Sequence, residues 1–91
     1  MNASDTPILP RGVRLHFDKV RDRWVLLAPE RTIALDAIGH AILTEVDGRR
    51  SFGEITAELA RKYDAPEDEI VKDSAAFLTT LQKRRFLDVA S

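Results

Sequence analysis

The sequence predicts a small α+β domain in which an antiparallel hairpin and a third short strand precede three helices, in the order βββααα. Apolar and polar residues alternate from Val13 to Asp18, with Val13, Leu15 and Phe17 on one side and Arg14, His16 and Asp18 on the other. That period of two marks a half-buried strand. Beyond it, WVLLAPERTIALDAIGHAIL carries an apolar strand that stops at Pro29, a short second strand, and a helix start at Asp36. The remaining half shows apolar residues at helical spacing, punctuated by cap and turn signals.

Each element has a local reason. Residues 1–12 hold Pro7, Pro10 and Gly12 with few periodic apolars, and read as a flexible N-terminal tail. Residues 13–91 then form the single folded domain. Residues 19–22 are a polar turn, and residues 23–28 a more buried strand that pairs with the first as a hairpin. Pro29 cannot donate to a ladder and ends that strand. Arg31, Thr32, Ile33, Ala34 and Leu35 make a third strand, short in the manner of an edge. Asp36 caps the first helix, whose apolar face is read as Ile38, Ala41, Ile42 and Val46, with Asp47-Gly48 as its exit. Ser51 and Glu54 form a capping box opening the second helix, with Phe52, Ile55, Leu59, Ala60 and Tyr63 facing inward. Pro66 suits the first position of a third helix. Its acidic start (Glu67, Asp68, Glu69) and basic end (Lys83, Arg84, Arg85) complement the helix dipole. Ile70, Ser74, Phe77, Leu78 and Leu81 form its stripe, and Phe86-Leu87 is expected to fold back onto the core.

Composition narrows the function classes. Ninety-one residues make one domain, which buries roughly 60–65% of its unfolded surface and leaves no room for separate cofactor and substrate domains. Net charge is −1, from 14 basic and 15 acidic side chains, without the basic excess of a nucleic-acid binder. Zero cysteines exclude a disulfide framework, a thiolate nucleophile and Cys-based metal sites. There is no signal-peptide pattern and no apolar run near 18 residues, so a soluble, cytoplasmic chain without a membrane partner is expected.

Candidate chemistry is sparse. His16 and His40 are too few for a zinc site, and no carboxylate spacing completes one. Ser51 reads as a helix cap and Ser74 as a small packing residue rather than as nucleophiles. No phosphate loop or nucleophile elbow occurs, so no enzyme activity and no cofactor are expected. Helices after a hairpin suggest a winged-helix-like fold and hence DNA binding through the third helix. That helix begins Pro66, Glu67, Asp68, Glu69, with Asp73 a turn later, and carboxylates facing a polyanion are repelled. A free strand edge is the better candidate, because its unpaired backbone groups can receive an extended peptide as a further strand. Two alternatives stand beside it: a winged-helix DNA-binding regulator, and a self-associating scaffold whose edges pair across a dimer.

The run PRGVRLHFDKVRDRWVLLAPERTIALDAIGHAILTEVDGRRSFGEITAELARKY, with DSAAFLTTL in the third helix, resembles the pyrroloquinoline quinone (PQQ) biosynthesis protein D family. Its marks are the VLLAPE strand end, Leu35-Asp36, Ile42-Leu43 followed by Asp47-Gly48, and Asp73 followed by Phe77-Leu78. The resemblance implies a peptide chaperone, a recognition element for a ribosomally made and modified peptide. Such a protein binds the precursor peptide (PqqA) and presents it to a radical S-adenosylmethionine enzyme (PqqE) that crosslinks a Glu and a Tyr. It also implies a peptide lying along Arg31, Thr32, Ile33, Ala34 and Leu35, with Ile70, Asp73, Ser74 and Phe77 as the facing wall. The chain is expected as monomer or homodimer. Relatives often carry Gly where Arg31 stands, so a positive φ there would be resisted and the turn would differ.

Overall fold

The computed structural model describes residues 1–90, so the expected domain limit at Ser91 lies outside the described residues. Four strands precede three helices and a fifth strand follows them: β1 (Thr6–Ile8), β2 (Arg14–Asp18), β3 (Arg23–Ala28), β4 (Arg31–Ala34), α1 (Ala37–Thr44), α2 (Phe52–Tyr63), α3 (Glu67–Lys83) and β5 (Asp88–Ala90). The expected antiparallel sheet is present in the order β2-β3-β4, with Leu26 opposite both Leu15 and Ile33. The β2–β3 turn is held by Asp18, whose Oδ1 accepts from the Val20 and Arg21 amides. At the β3–β4 turn the positive φ falls on Glu30 (62°) and not on Arg31, which already lies in the strand. Pro followed by a left-handed residue is a type II turn arrangement, so the departure from glycine at Arg31 leaves this turn intact.

The single-sheet expectation needs correcting. Residues 1–12, expected to be a tail, contain β1, which pairs antiparallel with β5 to form a separate two-stranded sheet. Pro7 is buried opposite Val89. The same segment tops α2: the Asp5 carbonyl accepts from the Phe52 amide (2.6 Å) and the Ala3 carbonyl from the Gly53 amide (2.9 Å). First-turn amides have no partner inside their own helix, so the N-terminal segment supplies what α2 lacks. A Cβ at Gly53 would sit 3.2 Å from the Ala3 carbonyl oxygen, which explains the glycine.

The helices form where their caps predict. Asp36 Oδ1 accepts from the Gly39 amide (2.7 Å), and Ser51 with Glu54 makes both arms of the capping box. Pro66 is the residue before α3 rather than its first member. α1 differs more. It ends at Thr44 instead of Asp47-Gly48, and its core-facing residues are Gly39, Ile42 and Leu43, while Ile38 is 66% exposed. An eight-residue helix has too few turns for periodicity to phase it securely. Tyr63, expected inside, is 60% exposed, and Thr56 takes a core place with its hydroxyl donated to the Gly53 carbonyl. The core gathers Leu26, Leu43, Phe52, Ile55, Leu59, Leu78 and Leu81, closed by Phe86 and Leu87, which fold back as expected.

One buried carboxylate ties α1 to α2. Glu45, just past α1, accepts from Lys62 Nζ at 2.7 Å and from Arg50 at 3.1 Å. The Lys62 hydrogen bond is the main cause holding the Glu45 carboxyl below its ordinary 4.5, with Arg50 adding to it and burial opposing. The backbone amides of Arg50 and Arg49 draw Asp47 down to about 2. Both carboxyls are more acidic folded than unfolded, so their contribution is complete above the unfolded values and lost as pH falls through the folded ones. Thermal unfolding should therefore show a Tm that is level above pH ~5 and declines from there toward pH ~2. Glu45→Gln should flatten the upper part of that decline; an unchanged profile would remove Glu45 from the account. Deleting residues 1–8 removes two helix-capping hydrogen bonds worth about 1 kcal/mol each. The Tm should drop by roughly 10 °C for a domain of this size, and an unaltered Tm would mean the segment contributes nothing.

Candidate functional site

β4 is an edge strand, and ladder parity decides which of its backbone groups are open. In an antiparallel pair, residues alternate between those bonded to the neighbour and those turned away from it. The Leu35 amide donates to the Trp24 carbonyl at 3.0 Å, which places Leu35, Ile33 and Arg31 in the inward set. Thr32 and Ala34 therefore direct their N–H and C=O groups outward, where no described segment pairs with them. Side chains follow a separate alternation. Ile33 and Leu35 pack against the core, whereas Thr32 and Ala34 are exposed. The edge thus offers two donors and two acceptors spaced for one further strand.

Two contacts relate α3 to β4 and to the helix that follows it. At the start of β4, Arg31 Nη1 donates to the Arg84 carbonyl at 2.8 Å, and its guanidinium lies 4.2 Å from the centre of the Phe86 ring. Arg31 therefore satisfies a carbonyl left over at the end of α3. Beyond β4, Gly39 of α1 meets Phe77, whose ring would stand 3.1 Å from a Cβ there. The chain from Arg31 to Gly39 thus passes α3 in the opposite sense, from Arg84 back to Phe77.

Ile70, Asp73 and Ser74 are gathered elsewhere than expected. They line a cleft of about 320 Å³ between the three helices, together with Ala37, Ile38, Ala41, Ile42, Leu59 and Tyr63. The structure does not place these three directly opposite β4, and Phe77 packs against Gly39 of α1. Ser74 is 1% exposed and packs in the wall, while Asp73 is the one charged side chain lining the cleft. Ile38 and Tyr63 were missed as site residues because both were assigned to the core. Their hint in the sequence is that each extends an apolar stripe by one position more than a short helix can bury.

Other polar groups have structural duties. The Thr44 hydroxyl donates to the His40 carbonyl, and the Ser51 hydroxyl accepts from the Glu54 amide. His40 stacks on Trp24 at 4.3 Å between ring centres, and Phe17 meets Trp24 edge-on. Among the described residues no group of three His, Cys, Asp or Glu side chains is arranged to hold a metal. No described helix is long and apolar enough to cross a membrane. The geometry provides an open backbone edge on β4 and, separately, an apolar cleft between the three helices.

Comparison with known proteins identifies the family. Residues 23–87 match the family described as Coenzyme PQQ synthesis protein D (PqqD). A PqqA binding protein of Rhizobium meliloti (strain 1021) is 46% identical over 98% of this chain and 91% of its own length. A bifunctional coenzyme PQQ synthesis protein C/D of Methylorubrum extorquens is 47% identical over 96% of this chain, which spans 23% of that longer protein. The solution structure of the PqqD truncation of Methylobacterium extorquens PqqCD, described as a functional, stand-alone recognition element for ribosomally synthesized and post-translationally modified peptides, superposes with a TM-score of 0.82 at 47% identity, covering 96% of this chain and 93% of that one. The crystal structure of PqqD from Xanthomonas campestris gives 0.62 at 41% identity, covering 97% and 98%. On the length and identity of these matches, this chain belongs to the PqqD family of coenzyme PQQ synthesis proteins.

Proposed function

We propose that this chain is the peptide chaperone of PQQ synthesis. It binds the ribosomally made precursor peptide PqqA and presents it to the radical S-adenosylmethionine enzyme PqqE, which carries out the Glu–Tyr crosslink. The observation that carries the reading is the open β4 edge in a chain 46% identical to a PqqA binding protein. The peptide adds as a strand, bonding to the backbone of Thr32 and Ala34. Phe77 and the cleft beyond it, with Ile70, Asp73 and Ser74, accept apolar side chains. Arg31, Ile33 and Leu35 hold the strand in place from the inner side. In this winged-helix-like arrangement the third helix serves as a wall for a peptide, consistent with the acidic residues of its first turn. The chain itself performs no chemistry, works in the cytoplasm, and leaves the crosslink to its partner. The natural fusion of a relative to protein C supports a place beside the enzymes of the pathway.

Parity makes the binding mode testable by proline. Thr32→Pro and Ala34→Pro each delete an outward amide, which an edge strand tolerates. Each should weaken PqqA binding about three- to tenfold, the worth of one hydrogen bond, while circular dichroism stays unchanged. Ile33→Pro deletes an inward amide and should cost the fold instead. Wild-type affinity in both outward variants would sink strand addition. The cleft is tested by Ile38→Asp, which alters an exposed side chain. The Tm should hold within a few degrees while peptide affinity falls; unchanged affinity would restrict the site to β4 and Phe77.

A further inference from the structure

The two ends of α3 carry opposite charge. Where β4 begins, Arg31 and Arg84 bracket one buried ring, with guanidinium carbons 4.2 and 5.5 Å from the centre of Phe86. Lys83 and Arg85 flank Arg84 in the chain, and all four cations are exposed. None of the four makes an ion pair among the described residues. Arg31 spends one N–H on the Arg84 carbonyl; the rest of its donor fork remains available for a carboxylate. At the other end stands Asp73, with Glu69 one turn before it on the same face of α3.

The separation of these ends matters. From Asp73 to Arg84 the chain advances eleven residues, or about 16 Å at helical rise. That is about twice the screening length at physiological salt. The ends therefore act on a bound segment as two independent charges rather than as a cancelled pair. Held guanidiniums also favour a carboxylate more than mobile ones do, because less side-chain freedom is lost on pairing.

We propose that the Arg31–Arg84 pair on Phe86 is a carboxylate subsite that fixes the direction and register of the bound peptide. An acidic residue of the peptide seats at the start of β4, and the remainder runs toward Phe77 and the acidic end of α3. Strand addition alone leaves direction and register open, since backbone groups repeat every two residues. A charge at one end removes that ambiguity. This inference rests on the peptide-binding reading above and adds to it the polarity of the ligand.

The test uses the full chain, synthetic PqqA, and a copy of PqqA with Asn and Gln in place of its Asp and Glu. Affinities are measured by calorimetry at low salt, and thermal melts check that each variant folds. Arg84→Glu should weaken PqqA about tenfold, Arg84→Lys should stay within about threefold, and the neutralised peptide should bind wild type about tenfold more weakly. Arg84→Glu should cause no further loss with the neutralised peptide, the signature of a direct pair in a double-mutant cycle. A nitroxide next to the acidic residue of PqqA whose neutralisation costs most affinity should broaden the amides around Arg84 to Phe86 and spare Ile70 to Asp73. Binding of PqqA unaffected by Arg84→Glu, full additivity in the cycle, or broadening at the Asp73 end would each overturn the subsite while leaving peptide binding intact. Failure of wild type to bind PqqA at all would remove the chaperone reading and the subsite with it.

Discussion

The hydrogen bond from the Leu35 amide to the Trp24 carbonyl sets what β4 can do. It fixes the parity of the β3–β4 ladder, and parity leaves the backbone of Thr32 and Ala34 without a neighbour. Had the ladder slipped by one residue, Ile33 would leave the core and the open amides would belong to different residues. The fold guards against that slip from both sides. Leu26 and Ile33 pair across the ladder on the buried face, and the Pro29-Glu30 turn makes Ala28 and Arg31 partners. An open edge is a liability in most small proteins. Here it is kept short, at four residues, and its outward side chains are a threonine and an alanine. The strand is too brief to template extended pairing yet long enough to receive a peptide.

Two long-range ties keep α3 in position relative to β4 and α1. Arg31 joins β4 to the end of α3, and Gly39 lets α1 approach Phe77 closely. The second sheet works at a distance from the site but on the same problem. By pairing β1 with β5, it brings both ends of the chain together and covers the first turn of α2 with the Ala3 and Asp5 carbonyls. A chain of this size has a small core, so the positions of α2 and α3 depend on such ties as well as on Phe52, Ile55 and Leu78.

Much of this was legible in the sequence. The alternation of β2, the apolar run of β3, Asp36 as a cap and the Ser51–Glu54 box each act within a few residues, and each element formed where its signal stands. What failed to show was non-local. β1 and β5 are three residues each and pair between Thr6 and Ala90, so neither is long enough to display a period of its own. The face of α1 was misjudged because tertiary contacts, Gly39 against Phe77 above all, turn Ile38 outward into the cleft. The same rotation gathers Ile70, Asp73 and Ser74 with α1 and α2. The strand of the candidate site was readable to within one residue, Leu35 lying just past its end; which of its amides face outward was not, because that depends on a partner strand. The role of Arg31 was hidden for a similar reason, since its partner lies 53 residues away.

In strand addition a peptide would complete the β4 ladder through Thr32 and Ala34. Amide hydrogen exchange of the protein, read residue by residue with and without PqqA, tests this most directly. The account predicts strong new protection at Thr32 and Ala34, with little change at Ile33 and Leu35, whose amides are already bonded to β3. Protection appearing at Ile33 instead, or confined to helices with Thr32 and Ala34 still exchanging freely, would contradict strand addition at this edge.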